Sequence, residues 1–204
     1  MLKRALAVGA ALLFCAPLFA GASMALPLGT YHVDTAHTTL GFEVAHLVIG
    51  RVNGKFDSFN GTIVVKSRHR ISIQGHADAL SVDTGNVMRD AHLKGTDPSK
   101  PNNDFFYAVK YPTLTFKSTK VTLNGTDLSV TGDLTIRGVT KTVTFTGQYN
   151  GSVQAFGTTQ IAADLETTIT RQDFGLKFNA LIEAGPVVGD KVKIELDVTA
   201  VKKG

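Results

Sequence analysis

Residues 128–145 read LSVTGDLTIRGVTKTVTF. Leu128, Val130, Leu134 and Ile136 alternate with Ser129, Thr131, Asp133 and Thr135. After Arg137-Gly138 the alternation resumes, with Val143 and Phe145 set between Thr142, Thr144 and Thr146. A period of two puts every apolar side chain on one face of an extended strand. A glycine-containing pair between two such runs is a turn signal, so the stretch reads as a hairpin with one greasy and one wet face.

The same period recurs on both sides of this hairpin. Ile71, Ile73, Gly75 and Ala77 form one apolar row, Ile161, Ala163, Leu165 and Ile169 another, and Val192, Ile194, Leu196, Val198 and Ala200 a third. Asn60-Gly61, Asn124-Gly125, Asn150-Gly151 and Gly189-Asp190 read as further turns. Several runs exceed the usual strand length of about five or six residues. Long consecutive strands with short turns give an all-β antiparallel meander, and a meander of about eight strands removes its exposed edges by closing into a barrel. Residues 85–111 break the period. Val87, Met88, Ala91 and His92 suggest one short helix there and residues 104–110 a second, an excursion laid across one end of the sheet.

The N-terminus has a different character. Lys3 and Arg4 precede an apolar run from Leu6 to Phe19, and small residues follow, with cleavage-like sites after Ala22 or Ala25. That is the layout of a secretory signal peptide over residues 1–25, leaving one domain over 26–204. The run is shorter than the roughly 18 residues of a spanning helix, so no stable membrane span is expected after cleavage. Cys15, the single cysteine, leaves with the leader, and the remaining chain can hold no disulfide. Two cations leave too, so the net charge falls from +4 to +2. With no basic run interleaved with aromatics, nucleic acid is not an expected partner.

The polar residues do not form a reactive cluster. In Val33–His46, VDTAHTTLGFEVAH, a strand places Leu40, Phe42, Val44 and His46 on one face. His37 and His46 are nine apart and point opposite ways, so they do not chelate together. Asp34 and His37 alone offer too few ligands for zinc, and they read as a hydrogen bond at the bend before the strand. His46 has two readings: a satisfied core histidine capping the strand, or a polar contact for a ligand head group. His32, His69, His76 and His92 show no metal-ligand spacing, and neither a nucleophile elbow nor a phosphate loop occurs. No catalytic residue, metal or cofactor is therefore assigned. The barrel interior is either a hollow for one small ligand or a core packed by the ten phenylalanines left once Phe14 and Phe19 are removed from twelve.

The stretch VDTAHTTLGFEVAHLVIGRVNGKFDSFNGTI resembles the YceI-like family of exported polyisoprenoid-binding proteins. Three further segments match in order: SVDTGNVMRDAHLKG with NDFFYAVKYPTLTFKST, LSVTGDLTIRGVTKTVTF, and TRQDFGL. Residues 96–102 look like an insertion relative to the family pattern. The resemblance implies an eight-stranded antiparallel lipocalin-like β-barrel, periplasmic, holding a long isoprenoid or fatty-chain lipid for storage or transport. It leaves homodimerisation open. It also implies that Arg89, Asp90, His92, Leu93, Phe105 and Phe106 organise the barrel mouth. Residues expected to contact the ligand are Phe42, Val44, Ile73, Leu114, Phe116, Leu134, Ile136, Val143, Phe145, Leu165, Ile194 and Leu196, with His46 as the polar contact. Two other functions are carried alongside. One is an enzyme acting on a lipophilic substrate through His46 and a neighbouring carboxylate; the other is a filled, ligand-free interaction module for envelope stress.

Overall fold

The computed structural model describes residues 23–97, 99, 104–182 and 185–204. Of the expected signal peptide, residues 1–25, residues 1–22 lie outside the described residues. Strands are β1 (Gly29–Val33), β2 (Thr39–His46), β3 (Gly50–Phe56), β4 (Phe59–Ser67), β5 (Arg70–Asp78), β6 (Val82–Asp83), β7 (Thr113–Asn124), β8 (Asp127–Ile136), β9 (Val139–Ala155) and β10 (Thr158–Thr170). A small hairpin, β11 (Leu181–Ile182) and β12 (Gly185–Pro186), precedes β13 (Val188–Lys202). The helix α1 is Val87–Lys94.

Eight strands close a circuit in the order β1-β4-β5-β7-β8-β9-β10-β13, and β13 returns to β1 through Val33↔Ala200. Every pairing is antiparallel, as a meander requires. The first strands are broken: β2, β3 and β6 continue β1, β4 and β5 beyond short interruptions and extend that side of the wall. Asp34 makes the first interruption. Its carboxylate accepts the Ala36 N–H at 3.0 Å and meets His37 Nδ1 at 2.8 Å, an Asx-type bend rather than a metal pair. Asp78 makes the third, accepting the Leu80 N–H at 2.8 Å to cap the 3₁₀ turn Ala79–Ser81.

Three expected turns lie inside strands. Asn60-Gly61 is in β4, where Gly61 pairs with Gly75. Asn150-Gly151 is in β9 beside a bulge that shifts the register between Ala162 and Ala163, and Gly151 takes a φ of 110° there. Gly189-Asp190 sits in the irregular start of β13. Asn-Gly suits a turn and a bulge alike, and partner strands decide between them. Arg137-Gly138 and Gly125 are turns with positive φ, as expected. Residues 104–110 form turns instead of a second helix. Two of their backbone N–H groups are taken by the end of α1, Phe106 N by Leu93 O at 3.0 Å and Ala108 N by Lys94 O at 2.9 Å.

The barrel interior is divided. At the lower end Tyr31, Val65, Leu123, Tyr149, Ile161 and Ala200 form a plug. Buried tyrosine hydroxyls need acceptors, and the N-terminal segment supplies them as it crosses beneath. Tyr31 donates to the Pro27 carbonyl and Tyr149 to the Ala25 carbonyl, each at 2.9 Å. Burial pushes both phenol pKa values up. Ser23 and Ser152 exchange backbone hydrogen bonds at 2.7 Å, which pins that segment to β9.

Candidate ligand-binding cavity

Above the plug the lumen is hollow, with a cavity of ≈ 600 Å³. A second hollow of ≈ 50 Å³ continues into the plug and shares Ile63, Ile73 and Val198 with the first. Pockets that take small molecules run from about 300 to 1,000 Å³.

The wall follows from the period-two rows. Ile73 of β5, Leu114 and Phe116 of β7, Leu134 and Ile136 of β8, Phe145 of β9, Leu165 of β10 and Ile194 and Leu196 of β13 all line it. Phe42, Val44 and His46 line it from β2. Val143 alone among the expected residues does not. It packs against the cluster around Leu134 and Ile136. The register explains this: Val143 pairs with Gly132, and the Phe116 ring lies over Gly132, so the ring meets the lumen there. Phe145 sits edge-on to Phe116 at 5.4 Å and fixes that ring. Phe42 lies over Gly54 in the same way.

At Gly61 and Gly75, which face each other across β4 and β5, the wall strands contribute no side chain of their own; Val33 covers Gly61, and Gly75 is left bare. A Cβ on Gly75 would stand 3.1 Å from the Asn60 carbonyl oxygen and 3.8 Å from Gly61 Cα, with nothing else near. This bare patch widens the lumen. Between the His32–Thr62 and Gly41–Lys55 pairs no ladder pair joins the first strand to the second, and Val33 leans on Gly61 across that interval.

The upper end is covered by an aromatic lid. Phe105 and Phe178 stack at 5.1 Å, and His92 of α1 stands edge-on to both, at 4.9 and 5.2 Å. Phe106 packs edge-on to Phe56 at 5.6 Å. Of the ten phenylalanines after residue 22, eight line the cavity, Phe174 is buried and Phe156 is exposed at the opposite end. They build wall and lid, leaving the middle open.

Helix α1 is held rigidly. Asn86 caps it by accepting the Arg89 N–H at 3.0 Å, and Gly95 ends it with a φ of 74°. The buried Asp90 carboxylate accepts the Thr84 N–H at 3.0 Å, and Arg89 donates to Thr84 Oγ1 and O at 2.7 and 2.8 Å. Arg89, Asp90, His92, Leu93, Phe105 and Phe106 thus do gather at the mouth, with all but Asp90 and Phe105 partly exposed.

Sequence reasoning gave no role to Arg171. Only 2 % exposed, it borders the cavity, yet its donors are spent on the backbone. They reach the Leu176, Gly189 and Val188 carbonyls at 2.6, 2.9 and 3.2 Å, and Asp190 at 3.0 Å. Burial pulls its pKa down and the Asp190 charge opposes that, but a guanidinium stays protonated. Arg171 ties the lid segment to the start of β13. The arginine of the quoted TRQDFGL motif could have signalled this, since a buried arginine needs several acceptors. Val52 and Phe56 of β3 also line the cavity and were missed, although Val52-x-Gly54-x-Phe56 carries the period.

His46 differs from Arg171. It lines the cavity at its upper end, and neither ring nitrogen has a hydrogen-bond partner among the described residues. Among the described residues no group of three or more His, Cys, Asp or Glu is placed to hold a metal ion. No described helix is long and apolar enough to cross a membrane.

A closed antiparallel barrel with a plugged base, a hollow apolar upper half and a lid defines the chain as a lipocalin-like barrel protein. Residues 31–200 match the YceI-like domain family, and the chain belongs to it. A UPF0312 protein of Staphylococcus aureus is 34 % identical over 167 residues, covering 79 % of this chain and 91 % of the relative. Among solved structures, a Campylobacter jejuni YCEI protein superposes with a TM-score of 0.65 at 30 % identity, covering 84 % of this chain and 96 % of that one. A polyisoprenoid binding domain from Saccharophagus degradans superposes with a TM-score of 0.63 over 87 % of this chain and all of that one; at 17 % identity it attests the fold alone.

Proposed function

We propose that this protein binds one long-chain isoprenoid or similar amphiphilic lipid in its lumen, as a periplasmic carrier or store without catalytic activity. The observation that carries the reading is the ≈ 600 Å³ apolar hollow inside a closed barrel. At roughly 30 Å³ per water- or methylene-sized group, it has room for about twenty carbons. Burying them at ~0.8 kcal/mol each gives a gross gain of about 16 kcal/mol. Immobilisation costs several kcal/mol of that, leaving micromolar binding or tighter. The description of the Saccharophagus degradans domain as polyisoprenoid binding agrees with such cargo.

In this reading Ile73, Leu134, Ile136, Ile194 and Leu196 hold the tail, and selectivity comes from its length and shape. His46, free to donate or accept at the upper end, takes the polar head. The leader-like residues 1–22 supply export. The test is mass spectrometry of a solvent extract of protein purified from the cell envelope without detergent. A stoichiometric apolar molecule of about twenty carbons or more supports the reading, and repeated extraction of nothing refutes it.

A further inference from the structure

We propose that the upper rim of the barrel is a lipid-surface docking site, so that cargo passes between a bilayer and the lumen without crossing water. This rests on the lipid-binding reading above. The β2–β3 tip is Leu47-Val48-Ile49, three consecutive apolar residues, and Ile49 is 96 % exposed. Leu47 and Val48 hold φ values of 51° and 66°, a conformation that is an outlier for a β-branched residue such as Val48. Strain of this kind persists only where surroundings enforce it. Here the Leu47 N–H is tied to the Val187 carbonyl at 2.9 Å and Val48 lies against Gly185, which leaves Ile49 standing clear. Soluble surfaces seldom tolerate such clustering without a partner.

The rim continues on α1, where Val87 is 85 % and Met88 80 % exposed. Its continuity with the cavity identifies the partner. His46, one residue before the tip, lines the cavity, and so do Met88 and Val187. The exposed apolar groups therefore surround the end of the hollow through which an alkyl chain must pass. Arg51, in a surface pair with Glu43 at 2.9 Å, and Arg89, whose Nε and Nη2 are held by Thr84, follow the two apolar tips in sequence and set positive charge near the lipid phosphates while Ile49 and Val87 enter the acyl boundary. A second copy of the chain would bury the same residues but would seal the mouth against cargo.

The opposite pole is a built-in control. It carries Phe156, 98 % exposed, and the cations Lys66, Arg68, Arg70, Lys202 and Lys203, which make no ion pair among the described residues. The chain contains no tryptophan, so Ile49→Trp and Phe156→Trp each introduce a single reporter. Each variant is mixed with vesicles of phosphatidylcholine and phosphatidylglycerol. The Ile49→Trp emission should shift to the blue and be quenched by acyl-brominated lipid, while Phe156→Trp stays unchanged. A response from Phe156→Trp, or from neither, overturns the proposal. The double variant Ile49→Asp with Val87→Asp should cosediment with vesicles about tenfold less or weaker still, as removing two apolar side chains from a lipid contact requires. It should take up a fluorescent fatty acid from free solution as the parent does. Uptake without any vesicle response defeats docking alone; no uptake by the parent defeats the lumen reading itself. A drop in molecular mass on introducing Ile49→Asp would make the rim a contact between two copies and would also overturn the proposal.

Discussion

Gly75→Leu plugs the hollow from its one bare wall. Gly75 has no positive φ, and its Cβ position is open towards the lumen apart from the Asn60 carbonyl oxygen at 3.1 Å, a contact relieved by a few tenths of an ångström. A leucine side chain brings four carbons, or about 120 Å³ at roughly 30 Å³ each, a fifth of the ≈ 600 Å³ cavity. Four tail carbons that lose their place forfeit about 3 kcal/mol, which raises Kd roughly 200-fold. The entropic cost of a strand glycine and the burial of the new side chain favour the folded barrel, against the shift of a few tenths of an ångström that the Asn60 carbonyl must make. The assay is titration calorimetry with a long-chain prenyl alcohol, together with thermal unfolding. Ser72→Leu, on the exposed face of the same strand, is the control and should leave Kd unaltered. A Gly75→Leu variant that folds and binds as tightly as the parent refutes the lumen as the binding site.

Other perturbations separate scaffold from site. Arg171→Leu strands the buried Leu176 carbonyl and the part-buried carbonyls of Val188 and Gly189 and should cost about 3–5 kcal/mol, seen in calorimetry as a Tm drop of roughly 6–20 °C; an unchanged Tm would show that the lid is not held by this residue. His46→Leu should weaken binding of a prenyl alcohol about tenfold, as loss of one hydrogen bond implies, while a pure hydrocarbon of equal length binds unchanged; equal effects on both would remove the head-group role. The His37 hydrogen bond, reinforced by the Ala36 N–H, holds the Asp34 carboxyl below its ordinary pKa. Stability from Asp34 is therefore complete above the unfolded-state carboxylate pKa and is lost as pH falls through the folded value. In His37→Ala, NMR titration should find the Asp34 pKa raised towards the ordinary range, and an unmoved pKa would disprove the bend's electrostatic account.

The sheet was legible because period-two alternation records burial directly. The rows at Leu128–Ile136 and Val192–Ala200 point inward over their full length, and twelve of the thirteen residues expected at the ligand line the cavity, since face follows from parity. Val143 shows the limit: parity places it inward, yet an aromatic ring from a neighbouring strand takes the space over Gly132. Glycine pairs were ambiguous for a related reason. Asn60-Gly61 has the local chemistry of a turn, and only its partner Gly75 makes it a bare wall. His92, Phe105 and Phe106 of the lid fall in segments that the sequence singles out, whereas Phe178 does not, and their assembly depends on contacts between α1, residues 104–111 and the segment after β10, none of which is periodic. The division into plug and hollow was least legible, because it turns on where two tyrosines meet an N-terminal segment that carries no strand signal.

A crystal structure of protein loaded with a long-chain prenyl alcohol and never exposed to detergent tests the central claim most directly. Continuous density should run from His46 down past Ile73, Leu134 and Ile194 to the plug at Tyr31 and Tyr149. A saturated complex whose lumen is empty, with the alcohol on the outer surface, would contradict it.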